Sequence, residues 1–124
     1  MSPGYALADL AAIREAEEVE IETAASEAGA WHRTIIWIVV DDRDRVLIRS
    51  FRGPTARWYR EVTVTPECRV LVAGRPIEVR AVPAADADRV AACSEGLRRK
   101  YAGHRATPGM LRTYLETTLE LVAR

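Results

Sequence analysis

The spacing of hydrophobic and polar residues changes several times along the chain and divides it into elements. Apolar positions at helical spacing predict an amphipathic helix over residues 5–17, within an N-terminal helical segment, residues 1–17. Residues 19–25 alternate with period two and place glutamates on one face, which predicts a strand with one solvated side. The core of residues 31–40 is apolar on both faces, so we expect a second strand in the centre of the sheet, antiparallel to the first.

The rest of the chain continues as short strands, turns and two further helices. Gly and Pro residues separate these segments, because both residues favour turns and end regular structure. In chain order we predict a hairpin turn at 41–44, a strand at 46–51, a short helix or turn at 55–61, a hairpin of strands 69–73 and 77–82, a helix at 84–101, a short helix from 107 and a closing strand at 118–123.

Strands joined mainly by hairpins, with one longer helix before the last strand, favour a sheet that curls into a barrel. We therefore predict a mixed α/β, mainly β fold: a small antiparallel barrel of about six strands with a helix inserted before the last one. A single domain would cover residues 1–124. The chain has no repeated strand-helix-strand unit and no GxGxxG sequence after a strand, which argues against a dinucleotide-binding fold.

The composition indicates a globular protein without a net charge. Apolar residues make up 48% of the chain and charged residues 29%, with equal numbers of acidic and basic side chains. The longest apolar run, residues 35–40, is too short to cross a membrane, and the acidic N-terminus does not look like an export signal. We expect a cytoplasmic protein whose two cysteines, Cys68 and Cys93, are reduced core thiols.

One stretch concentrates positive charge. Residues 45–60 contain five arginines and no acidic residue: Arg45, Arg49, Arg52, Arg57 and Arg60. Guanidinium groups pair bidentately with phosphate and carboxylate, so Arg49 and Arg52, followed by Gly53 and a helix start near Thr55, predict an anion site. The alternative is that these arginines form a solvated face or pair with the aspartates at 41, 42 and 44.

Aromatic residues stand beside two of the basic ones. Trp58-Tyr59 follows Arg57 and could stack on a planar ring or close the end of the barrel, while Lys100-Tyr101 offers a second cation and a hydroxyl. We assign Trp37, in the middle of an apolar strand, to the core.

Metal and nucleophile chemistry find little support in the sequence. His32 and His104 are isolated from other ligand-type residues, so we predict no metal site. Ser50 has no evident base, and no GxSxG sequence occurs. Any reaction would therefore depend on a cofactor.

Four short motifs carry a resemblance to a known family: residues 36–40, 47–53, 57–60 and 99–101. Together they resemble the domain-of-unknown-function family 2255. That family looks like a branch of the flavin and deazaflavin oxidoreductase superfamily, whose FMN-binding split β-barrel is found in pyridoxamine phosphate oxidases and deazaflavin-dependent nitroreductases. The resemblance runs from about residue 18 to the C-terminus and implies a split β-barrel.

The resemblance also implies a cofactor site and a reaction. A basic residue ending a strand and basic residues opening the next helix hold the cofactor phosphate in the superfamily. The expected site for FMN or a deazaflavin consists of Arg49, Ser50, Arg52, Gly53, Arg57 and Trp58. The expected proton donors or substrate-positioning residues are Tyr59, Lys100 and Tyr101. The protein would be a homodimer that binds the cofactor at the subunit interface and transfers a hydride to or from a small organic substrate.

Two other functions are open at the sequence level. A non-catalytic barrel could bind a flavin, haem or another anionic small molecule as a sensor or carrier. Single-stranded nucleic-acid binding is the third hypothesis, against which the net charge of zero counts. We expect no nucleic-acid or membrane partner.

Overall fold

The computed structural model describes residues 4–124 and gives the chain seven strands and four helices. The strands are β1 (Val19–Ala24), β2 (Trp31–Ile36), β3 (Val39–Val40), β4 (Val46–Ile48), β5 (Glu67–Val72), β6 (Arg75–Pro83) and β7 (Leu119–Ala123). The helices are α1 (Leu7–Glu15), α2 (Arg57–Val64), α3 (Ala87–Lys100) and α4 (Thr107–Arg112), with 3-10 turns at Gly53–Thr55 and Leu115–Thr117. Residues 1–3, the beginning of the segment expected to be helical, lie outside the described residues.

The seven strands form one antiparallel sheet in the order β2-β1-β5-β6-β7-β4-β3. Its two edge strands, β2 and β3, follow each other in sequence and are separated only by Trp37 and Ile38. Laid flat, seven strands would be roughly 29 Å wide, but the three residue steps from Ile36 to Val39 span at most about 11 Å. The sheet must therefore curl until its edges approach each other, which gives the predicted split β-barrel.

The prediction for the second strand was wrong in one respect. Residues 31–40 do not form one central strand: they form both edges of the sheet, and the chain crosses from one edge to the other at Trp37. This raises the strand number from about six to seven. A continuous apolar run has the same appearance in either arrangement, because Ile38 and Val39 are buried after the crossing as they would be in a central strand.

The predicted hairpins and the inserted helix are confirmed. β1 pairs with β2, and β5 pairs with β6, both antiparallel. The helix predicted at residues 84–101 is α3, whose first turn is capped by the Asp86 carboxylate, which accepts a hydrogen bond from the backbone N–H of Arg89. The final helix and closing strand are α4 and β7, which are separated by the second 3-10 turn.

Two apolar clusters hold the fold together. The larger one fills the barrel with inward residues of the strands and is covered by Leu10 and Ile13 of α1 and by Trp58 and Val62 of α2. The smaller one packs α3 and α4 against the outside of the short strands and includes Val39, Leu47, Cys93, Leu97, Tyr101 and Met110. Cys68 lies in the first cluster and Cys93 in the second, and both are free thiols, as predicted. In residues 4–124 no helix is both long enough and apolar enough to span a bilayer.

Candidate functional site: an arginine-lined cleft

A cleft of about 830 Å³ lies between β2, the loop after β4 and the first turns of α2 and α4. Five arginines and one carboxylate border it: Arg33, Arg49, Arg52, Arg57, Arg60 and Glu18. Three aromatic side chains also border it, Trp37, Phe51 and Trp58. Cations and flat apolar surfaces thus meet in one concave site, the combination expected for a planar anionic ligand.

The three exposed arginines of the 49–60 segment have no acidic partner. The side chains of Arg52, Arg57 and Arg60 are exposed, and none of them takes part in an ion pair within the part of the chain that the structure describes. Arg45, the fifth arginine of the sequence run, differs from them. It is bound by Asp41 and Asp88, so the alternative interpretation of the run holds for this residue.

Arg49 borders the same cleft, yet its side chain is only 2% exposed. Its Nε donates to Thr118 Oγ1 at 2.9 Å, Nη1 donates to Ser94 Oγ at 3.0 Å and to the Met110 carbonyl at 2.8 Å, and Nη2 donates to the Val90 carbonyl at 3.0 Å. A guanidinium has five N–H donors, and four of them are used here within the fold. Desolvation lowers the pKa of Arg49, and no carboxylate lies within ion-pair distance among residues 4–124.

The loop between Arg49 and α2 is packed by the chain itself. Ser50 is buried, its N–H donates to Thr117 Oγ1, and its hydroxyl donates to the Gly53 carbonyl. Gly53 has a φ of 73°, and a Cβ on it would lie 2.5 Å from the Tyr114 ring. The close approach that Gly53 permits is therefore taken by Tyr114, and the structure places neither Ser50 nor Gly53 on the lining of the cleft.

The start of α2 faces the cleft with free donors. Ala56 precedes the helix without a side-chain cap, and Ala56, Arg57 and Trp58 all border the cleft. The first N–H groups of a helix have no partner inside it and favour anions. Trp58 itself is only 5% exposed and belongs to the main core, so it closes the cleft as a wall.

Trp37 was expected in the core, and it packs against the smaller apolar cluster without being fully enclosed. The residue is partly buried and borders the cleft. Its ring stacks on Tyr101 with centroids 4.0 Å apart and planes 4° from parallel. His104 lies beside the stacked pair, 5.2 Å from the Trp37 centroid and 5.8 Å from the Tyr101 centroid.

The three predicted proton donors lie outside the cleft lining. Tyr59 is partly buried against Trp58, and burial raises the pKa of its phenol. Lys100 borders a second, smaller cleft and donates to the carbonyls of Ile13 and Ile38, while burial lowers the pKa of its amine to about 8. Their catalytic role stays a prediction.

Tyr101 is fully buried, and its hydroxyl has two partners within the fold. It donates to the Glu17 carbonyl at 2.6 Å and accepts the Ile38 N–H at 3.1 Å. Desolvation is the main reason that its pKa rises to about 12. The phenol therefore keeps its proton at neutral pH, and its role as a donor to substrate likewise stays a prediction.

Sequence reasoning missed other residues that border the cleft, among them Arg60, Arg33 and Trp37. Arg60 belonged to the arginine run but was left out of the predicted site, and Arg33 could have been found from period-two alternation, which puts it on one face with Ile35. Trp37 gave no local signal, because its position depends on the crossing between the sheet edges. Among residues 4–124 no group of three metal-ligating side chains occurs.

Solved structures of other proteins share this fold. A haem storage protein from Vibrio cholerae superposes with a TM-score of 0.66 at 12% identity, over 95% of this chain and 89% of that chain. A putative pyridoxamine 5'-phosphate oxidase from Listeria innocua gives 0.64 at 13% identity, over 94% and 91%. An F420-H2-dependent reductase gives 0.62 at 13% identity, over 86% and 93%. At such low identities these similarities establish the fold.

Comparison with sequence families agrees with the motifs. No curated protein matches the chain. A family model described as an uncharacterized protein conserved in bacteria matches residues 9–121, nearly the whole length. The resemblance drawn from the four motifs is thereby confirmed, and the chain belongs to the DUF2255 family.

Proposed function

We propose that the arginine-lined cleft binds a flavin or deazaflavin through its acidic tail, and that the protein is an oxidoreductase acting on a small organic molecule. The unpaired guanidiniums of Arg52, Arg57 and Arg60 around one cleft carry this proposal. Elsewhere in the described chain most arginines have carboxylate partners, such as Arg69 with Glu22. The residues present fit the group, because guanidinium forks match phosphate oxygens and aromatic walls match a planar ring.

The protein's own contribution would be binding and orientation. Arg52, Arg57 and the free N–H groups at the start of α2 would hold the phosphate, while the buried charge of Arg49 raises the positive potential at the floor of the cleft. A bound flavin or deazaflavin supplies two-electron hydride chemistry, which requires no side-chain nucleophile. The lining of the cleft agrees with that chemistry, since no Ser, Cys, His or Tyr of residues 4–124 borders it.

The same lining argues against haem as the ligand. Haem iron is bound in most proteins by His, Cys, Tyr or Met, and Met110 is the one candidate among the described residues that border the cleft. Met110 is buried in the smaller apolar cluster. Because a haem storage protein has the same fold, a carrier function is the second hypothesis. Bound chromophore without turnover would support the carrier function.

We further propose that a second copy of the chain covers the mouth of the cleft. Ile35 and Phe51 both border the cleft and are 61% and 62% exposed, an unusual exposure for large apolar side chains. Light scattering at micromolar concentration should give the mass of a homodimer, and a monomeric mass would remove the shared site. The free, buried thiols fit a cytoplasmic location, which cell fractionation would test.

Turnover distinguishes the oxidoreductase from the carrier. We expect the protein to accelerate the anaerobic oxidation of reduced deazaflavin or reduced FMN by menadione, in which the quinone takes up a hydride from the cofactor and a proton from solvent. Arg57→Ala should slow this oxidation at subsaturating cofactor, whereas Arg112→Ala, which removes an exposed arginine outside the cleft, should not. Saturable binding without any acceleration would overturn the enzyme proposal in favour of a carrier.

A further inference from the structure

Trp37 differs from the other two tryptophans of the chain in what surrounds it. Trp31 lies under the Arg69 guanidinium, 4.3 Å from its ring centroid, and does not border the cleft. Trp58 borders the cleft but is 5% exposed and packs in the main core. Trp37 borders the cleft and is only partly buried, so its indole offers the more accessible ring.

One face of the Trp37 indole is already covered. The parallel Tyr101 ring lies 4.0 Å away on that side. His104 meets both rings near a right angle, with interplanar angles of 70° and 71°, and its similar distances from the two centroids put it beside the stack. The opposite indole face is thus the one left for contact with a planar ligand.

The orientation of the Trp37 ring is fixed from its covered side, by contacts of Tyr101 and Lys100. Tyr101 is fully buried, and its hydroxyl accepts the N–H of Ile38, the residue next to Trp37. Lys100 Nζ donates to the carbonyl of the same Ile38 at 2.8 Å. The backbone at the crossing between the sheet edges is therefore held by two side chains of the end of α3, and little ordering of the indole would be required on binding.

We infer that the uncovered face of Trp37 is the platform on which the planar ring of the ligand stacks, and that Tyr101 is the positioning residue that fixes this platform. The inference rests on the proposed function, because it concerns the ring of a ligand whose acidic tail the arginines hold. It assigns Trp37 to binding and gives Tyr101 a role other than proton donation. Stacking on an aromatic side chain contributes enough for about a tenfold change in affinity.

Emission of the bound flavin tests the stacking directly. A flavin in contact with an indole loses its fluorescence by electron transfer, and excitation in the visible avoids tryptophan absorption. We expect FMN and riboflavin to be quenched on binding to the wild type and to Trp31→Phe, which replaces a tryptophan that does not border the cleft. In Trp37→Leu the bound FMN should emit, and its affinity should fall about tenfold. Inorganic phosphate should compete with FMN equally well in both proteins.

Conservative variants keep the test valid if Trp37→Leu folds poorly. Trp37→Phe should keep FMN affinity within a few-fold and still restore emission, since phenylalanine stacks but donates electrons poorly. Tyr101→Phe keeps the ring stacked on the indole but loses the hydroxyl bonded to Ile38, so its FMN affinity should fall less than that of Tyr101→Leu, which should share part of the Trp37→Leu effect. Bound FMN that stays quenched and equally tight without the indole would overturn the inference alone. A wild type that binds neither FMN nor riboflavin would overturn the proposed function and this inference with it.

Discussion

Arginines occupy two regions of this molecule in opposite ways. On the outer face of the sheet, Arg33, Glu22, Arg69 and Glu78 alternate across four neighbouring strands, and Arg124 continues the row just after β7, with successive ion-pair distances of 2.9, 2.8, 2.7 and 2.5 Å. In the cleft the arginines of the 49–60 segment stand without a carboxylate partner in the described chain. The first region uses guanidiniums to join strands, and in the second we propose that they hold a ligand.

Strand register explains the difference. Glu22 is directly opposite Arg33 on one side and Arg69 on the other, and Arg69 is directly opposite Glu78. Directly opposed residues of opposite charge interact across a sheet, so the pairing follows from the register. The cleft arginines of the 49–60 segment follow the end of β4 and open α2, where no neighbouring strand brings an acidic residue opposite them. Arginine content alone therefore does not indicate binding.

The largest effect should come from Arg49, the buried arginine of the cleft. Arg49→Met would remove four hydrogen bonds that join the end of β4 to α3, α4 and Thr118, the residue before β7, and we expect a loss of about 3 kcal/mol in the free energy of unfolding. Urea unfolding measures it, with Arg112→Ala as a control of unchanged stability. A loss below about 1 kcal/mol would mean that water replaces the guanidinium.

A smaller effect is expected from the ladder, the row of alternating Arg and Glu side chains on the outer face of the sheet. Glu22→Gln weakens two ion pairs and should cost about 1 to 2 kcal/mol at low salt, whereas Glu116→Gln, at an exposed carboxylate outside the ion pairs, should cost little. Hydrogen bonds from Arg69 and then Arg33 lower the pKa of Glu22 below 4.5. A carboxyl group whose pKa is lower in the folded protein than in the unfolded one stabilises the fold at pH values above its unfolded-state pKa. That stability is lost as the pH falls through its folded-state pKa.

Acid unfolding sharpens that comparison. Below about pH 4.5 the wild type should lose stability more steeply than Glu22→Gln, because the glutamine has no proton to take up. The two curves of unfolding free energy should converge at low pH. Parallel curves from pH 7 to pH 3 would show that the ladder contributes nothing through the charge of Glu22.

The smallest effect is expected at the cysteines, which belong to neither region. Burial raises the pKa of Cys68 to about 12 and that of Cys93 to about 11, so neither should react with a thiol reagent at pH 8 until the protein unfolds. Replacing both by Ala should leave FMN affinity within a few-fold. A hundredfold loss would mean that one of the thiols takes part in the chemistry.

Much of the fold could be predicted from local sequence signals. Gly103 after α3 is a helix stop signal and Pro108 in the first turn of α4 is a helix start signal, and both act through the backbone alone. Both helix boundaries were therefore predicted within a few residues. The alternation of β5 and β6 likewise identified the second hairpin. The crossing at Trp37 could not be predicted, because it depends on closure of the whole sheet.

The candidate site was predicted less completely, for a related reason. The arginine run located Arg52 and Arg57 at the cleft, since both depend only on the loop after β4 and the start of α2. Whether Arg49 faces a ligand depends on Ser94, Met110 and Thr118, which reach it from distant parts of the chain. No local pattern contains that information.

The central claim is that the unpaired arginines of the cleft hold the acidic group of the ligand. The most direct test titrates FMN and riboflavin, which differ only in the phosphate, into the wild type, Arg57→Ala and Arg112→Ala. We predict that the wild type prefers FMN at least tenfold, that Arg57→Ala loses tenfold to a hundredfold in FMN affinity but nothing in riboflavin affinity, and that Arg112→Ala behaves as wild type. Equal affinity of the wild type for FMN and riboflavin, or an equal loss in Arg112→Ala, would contradict the claim.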